Sequence, residues 1–132
     1  MAFDADFLLV LTTLPDAQSA RQMAAALVER RLAACVHVLA RCRSVFLWKG
    51  NLEETDEIPL HIKTSAKCYA ALEAFIRKNH PYELPEIVAL PLTNGLPAYF
   101  HWLETETNES DAEKHVPRKV LDPALAHPGK AV

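Results

Sequence analysis

VHVLARCRSVFLWKGNLEETDEIPLHIKT, residues 36–64, reads as two β-strands folded back on each other. From Val36 to Trp48 polar and apolar side chains alternate, as they do where successive residues point to opposite faces of a sheet. The alternation breaks phase: His37, Leu39, Arg41 and Arg43 form one row, yet Val45 and Leu47 then fall on that same row. A bulge or bend around Arg41 to Ser44 accounts for the break. Trp48-Lys49-Gly50-Asn51-Leu52 is a tight reversal in which Gly50 and Asn51 tolerate positive φ. The return strand, Glu53 to Thr64, sets Ile58, Leu60 and Ile62 on one face and Glu57, Pro59, His61 and Lys63 on the other. Pro59 has no N–H to give a neighbouring strand, so a local irregularity is expected there.

C-terminal to this hairpin, Thr64 or Ser65 caps a helix with Tyr69, Leu72, Phe75 and Ile76 on its buried stripe and Lys67, Glu73, Arg77 and Lys78 on the wet side. Asn79-His80-Pro81 stops it. His80-Pro81-Tyr82-Glu83-Leu84-Pro85-Glu86-Ile87 is then a stiff corner, because each proline fixes its own φ and pushes the preceding residue out of the α region. It carries an imidazole, a phenol and two carboxylates, which is most of a small polar site; the alternative is a plain connector with those groups in solvent. A strand from Glu86 to Leu92 follows, then a turn at Thr93-Asn94-Gly95 and a short helix bearing Tyr99, Trp102 and Leu103. Beyond Glu104 charge and proline replace large apolar residues, so 1–104 reads as the domain and 105–132 as a polar, flexible tail.

N-terminal to the hairpin, Phe7 to Thr13 is a buried strand. Thr13-Leu14-Pro15-Asp16 opens a helix with Thr13 as its N-cap, and Ala17, Ala20, Ala24, Leu27 and Val28 form the stripe facing a sheet. Leu32-Ala33-Ala34-Cys35-Val36 returns to extended structure. The element order is β-α-β-β-α-β, an α+β ferredoxin-like sandwich with two helices on one face of a four-stranded antiparallel sheet, a long hairpin between its second and third strands and a short C-terminal helix. Hairpin strands of this length carry apolar residues on both faces, and covering them requires a second chain.

At 132 residues, with 14 basic and 17 acidic side chains interspersed for a net charge of −3, one domain is expected and no basic stripe for nucleic acid exists. Apolar runs are of strand length, well short of the roughly 20 residues a membrane helix needs. Asp4 and Asp6 stand where a secretory leader carries basic residues, which points to the cytoplasm. Cys35, Cys42 and Cys68 are too few and too scattered for a disulfide framework or a paired-cysteine zinc site. Three isolated glycines and no nucleophile elbow disfavour catalysis, so the chain does not read as an enzyme.

Thr12-Thr13-Leu14-Pro15-Asp16, Leu32-Ala33-Ala34-Cys35, Trp48-Lys49-Gly50, Ile62-Lys63-Thr64, His80-Pro81-Tyr82-Glu83-Leu84-Pro85-Glu86 and Tyr99-Phe100-His101-Trp102-Leu103 together resemble the CutA divalent-cation tolerance proteins over about Phe7 to Glu104. The resemblance implies a homotrimer with PII-like architecture, its hairpins interlocked between subunits, and a response to copper and other divalent metal ions. It also implies copper ligands at the positions of Thr12, Asn79 and His80, of which this chain keeps only His80. A hydroxyl and an amide are poor copper ligands beside thiolate and imidazole. Cys35 is then either a replacement soft ligand, if the fold brings it near His80, or a small buried hydrophobe. Two further readings use other residues. In one, Trp48, Glu57, Lys63, Tyr82, Glu83 and Glu86 line a PII-like cleft between subunits for a small anionic or zwitterionic ligand. In the other they are structural, with Lys63 paired to Glu57 or Glu86 and with Tyr82 and Trp48 as interface anchors.

Overall fold

The computed structural model describes residues 5–108. Eight elements follow in order: β1 (Phe7–Leu14), α1 (Ala17–Glu29), β2 (Cys35–Val38), β3 (Cys42–Trp48), β4 (Asn51–Ser65), α2 (Tyr69–Asn79), β5 (Val88–Pro91) and α3 (Pro97–Glu106). The sheet is antiparallel. β4 lies against β1 on one side and against β2 and then β3 on the other, and β5 flanks the far edge of β1. What the sequence suggests as one long second strand is thus two, β2 and β3, both paired to β4.

The break is caused by Pro59. Its carbonyl accepts from Leu39 N–H at 3.0 Å, so its nitrogen also faces the β2 side and offers no hydrogen there. Val38 pairs with Leu60 and Cys42 with Glu57, which leaves residues 39–41 opposite only Ile58 and Pro59. One extra residue is the signature of a bulge. It lies slightly earlier than the expected Arg41 to Ser44, and β4 itself runs through Pro59 unbroken.

The core is built on the register of β1 and β4. Leu8, Val10, Thr12 and Leu14 stand opposite Thr64, Ile62, Leu60 and Ile58, and all eight are buried. α1 adds Ala20, Met23 and Leu27, and α2 adds Leu72 and Ile76. The stripe of α1 is rotated from the expected one: Met23 and Ala26 turn inward, whereas Val28 is 40% exposed. The cap moves too. Pro15 holds Leu14 extended, so Thr13 stays in β1 and Asp16 becomes the N-cap, its Oδ1 accepting from Ser19 N–H at 2.7 Å.

Neither hydroxyl expected to cap α2 does so. Thr64 donates to the Leu32 carbonyl at 2.7 Å, Ser65 accepts from Thr107 at 3.0 Å, and a single 3₁₀ turn, Ala66–Cys68, leads into the helix. The hairpin reversal puts positive φ on Lys49 (51°) and Gly50 (84°), not on Asn51, which pairs with Trp48. At the other end α3 packs Phe100 flat on Phe7 with ring centroids 4.7 Å apart, and Thr107 is buried. The tail expected after Glu104 lies, from residue 109 onward, outside the described residues.

Leu60 is fully buried in the central strand. Leu60→Ala is expected to lower the unfolding free energy by about 2–5 kcal/mol in chemical denaturation.

Candidate functional site

The last turn of α2 is closed by Asn79, whose side-chain N–H donates to the Phe75 carbonyl at 2.9 Å. Pro81 then forces His80 to extended geometry, φ −88° and ψ 139°, which swings the imidazole off the helix toward the end of β1. His80 is nearly buried, at 9% exposure. Its Nδ1 accepts from Tyr82 N–H at 3.1 Å, so the ring proton sits on Nε2 and is donated to the Thr13 carbonyl at 2.7 Å. Both nitrogens are occupied in closing the corner.

Tyr82 packs its ring 4.8 Å from that of His80 and donates its hydroxyl to Glu57 Oε2 at 2.7 Å. Thr13 Oγ1 donates to the same oxygen at 3.2 Å. Glu57 is only 6% exposed, so these two hydroxyls replace water that its carboxylate has lost. The Tyr82 phenol is pushed well above its ordinary value of 10.0, first by burial, then by the hydrogen bond to Glu57 and the negative charges of Glu57 and Asp16. Tyr69 is pushed up to about 12 in a parallel way, by burial and by donating to Glu73. The cluster ties β1, β4 and the corner after α2 into one joint.

Of the residues singled out by the sequence, Glu57, Tyr82 and His80 come together, joined by Thr13, which belongs to this cluster and not to a helix cap. Cys35 does not join them. It pairs with Lys63, which pairs with Leu9, four positions from Thr13 along β1, or about 13 Å. Lys63 is likewise about 20 Å along β4 from Glu57, and its Nζ lies 5.4 Å from the Tyr99 ring centroid instead of near Glu57 or Glu86. Glu83 reaches the hairpin turn, where its carboxylate lies 3.8 Å from Lys49 Nζ, itself over the Trp48 ring. Glu86 is exposed.

The thiolate and imidazole set for copper does not fit here. His80 has no ring lone pair free, the Asn79 amide is used on the helix, and Thr12 is 1% exposed on the core face of β1. Thr12 Oγ1 is buried without a partner among the described residues. Nor are three or more His, Cys, Asp or Glu side chains grouped to hold a metal among those residues. No described helix is long and apolar enough to cross a membrane.

The family model described as "CutA1 divalent ion tolerance protein" matches residues 8–106. The "Divalent-cation tolerance protein CutA" of Thermus thermophilus is 41% identical over 99 residues, 75% of this chain and 96% of that protein. Mouse "Protein CutA" is 43% identical over 95 residues, 72% of this chain; the chain spans 54% of that protein and 60% of the Xenopus laevis homologue. Among solved structures, Thermus thermophilus Cut A1 superposes with a TM-score of 0.76 at 40% identity, over 77% of this chain and 99% of that one. An Archaeoglobus fulgidus structure, named a periplasmic divalent cation tolerance protein, gives 0.75 at 28% identity over 77% and 99%.

Two variants test the joint. Tyr82→Phe leaves the buried Glu57 carboxylate with one donor fewer and is expected to cost about 1–3 kcal/mol in denaturation at neutral pH. Because the folded state raises the phenol's pKa, this contribution is complete below about pH 10 and withdrawn above it, so the stability gap between wild type and variant narrows at alkaline pH. Thr12→Val removes an unpartnered buried hydroxyl at nearly constant shape and is expected to stabilise by about 1–2 kcal/mol, read as a raised Tm.

Proposed function

The chain belongs to the CutA1 divalent ion tolerance family, and from that membership we propose that it acts in divalent-cation tolerance as a cytoplasmic, non-catalytic homotrimer of ferredoxin-like subunits that binds a divalent cation such as copper. The observation that carries the assembly is the free arm of the hairpin. β1 ends opposite Ile58, so from Glu57 to Asn51 β4 pairs with β3 alone. A two-stranded ribbon is marginal in water without a surface to pack on. On this arm Leu47 stands opposite Leu52, at 71% and 69% exposure, with Val45 on the same side at 59%. Contiguous exposed apolar side chains of this kind mark a protein interface. Copies of the same arm, interlocked, supply the missing cover, and Glu83 with Lys49 then sits where one subunit approaches the next.

In sedimentation at micromolar concentration the wild type is expected to run as three chains of 14.7 kDa each. Leu47→Glu combined with Leu52→Glu is expected to move it to a single chain. A wild type that sediments as one chain overturns the assembly.

A further inference from the structure

A pair of histidines on the outer face of the sheet, away from the corner, has what His80 lacks. His37 on β2 and His61 on β4 are direct register partners. Both belong to the face opposite the core, since their neighbours Val36, Val38, Leu60 and Ile62 pack inward. His37 is exposed and His61 half-buried. Neither ring has a hydrogen bond, ion pair or ring contact among the described residues, so each keeps a nitrogen lone pair to give. Directly opposed residues of an antiparallel pair hold their Cβ atoms about 4.5–5.5 Å apart. Two imidazoles on that spacing can close on one ion at the usual metal to nitrogen distance of about 2.0–2.1 Å.

The bulge creates this pair. The turn sets Trp48 opposite Asn51, and continuing that register back along β3 would put His37 opposite Ile62, on the wrong face. The extra residue opposite Pro59 shifts the pairing by one and brings His37 to His61. Lys63, next along the same face, does not oppose a cation there, because its ammonium is drawn over the Tyr99 ring at the α3 side. Leu11, beside His61 on β1, closes the other flank with apolar surface.

We propose that His37 and His61 form a cross-strand bis-imidazole site for a borderline divalent transition-metal ion, with the remaining coordination positions filled by water. This deepens the cation reading above and needs only one chain, so it does not rest on the trimer. Two protein ligands make an exchangeable site. By the general order of affinities Cu²⁺ is preferred over Ni²⁺ and Zn²⁺.

The test is calorimetric titration of the full chain with CuCl₂ and ZnCl₂ at neutral pH, together with His37→Gln, His61→Gln and His80→Gln. Loss of either outer-face imidazole removes an intramolecular second ligand and is expected to weaken Cu²⁺ binding on the order of 100-fold. His80→Gln is expected to leave the affinity unchanged while lowering Tm. In the unaltered protein, sub-stoichiometric Cu²⁺ should broaden the ring proton resonances of His37 and His61 before those of His80, which reads the site without any variant. Cu²⁺ binding that survives both outer-face substitutions overturns this site and leaves the cation reading standing. A wild type that binds neither ion overturns both.

Discussion

Strand β4 sets the register and the facing of the sheet around it. It pairs with β1 along one edge and with β2 and β3 along the other, and every other β-element except β5 takes its register from it. Its even-numbered residues from Ile58 to Thr64 are the floor of the core, and its odd-numbered residues set the chemistry of the outer face. Within it Pro59 is the residue with the widest consequences. A missing N–H on one edge leaves β1 pairing intact, breaks the opposite edge into β2 and β3, and reverses the facing of everything beyond the bulge.

From that frame the joint at Glu57 follows. Glu57 is the residue of the two-stranded arm nearest the sheet, one position beyond the end of the β1 pairing, and it is buried under Thr13 from β1 and Tyr82 from the corner. The prolines of the corner aim His80 and Tyr82 back at the sheet, and the Thr13 carbonyl receives the imidazole. Polar groups at this joint are satisfied by one another, so their arrangement specifies where α2 hands over to β5. The same satisfaction removes His80 from the supply of metal ligands. Cation chemistry, on this account, belongs to side chains of the outer face that have no structural duty.

How far the sequence could be read depends on how local each feature is. Ile58, Leu60 and Ile62 alternate cleanly, and the antiparallel sheet and its core face were legible from such runs, whereas the second of the four expected strands is two, which makes five. The phase break in residues 36–48 was legible as well, and only its position was off, because the missing donor is on β4 whereas the disturbance shows on its partner. Thr13 and Asp16 both look like caps; the effect of Pro15 on Leu14 decides between them, and it favours Asp16. The roles of His80 and Cys35 were not legible, since they depend on which backbone carbonyl and which strand partner the fold supplies. The His37 and His61 pair lay hidden for a sharper reason. Counting back from the turn gives the wrong face, and only the bulge corrects the count.

The claim that His80 is committed to the joint is tested most directly by the long-range ¹H–¹⁵N spectrum of the histidine rings in the folded chain. His80 is expected in a single tautomer, with Nε2 protonated and Nδ1 a hydrogen-bond acceptor. A His80 ring averaging between tautomers like a free imidazole would contradict it, and would return that nitrogen to the pool of possible metal ligands.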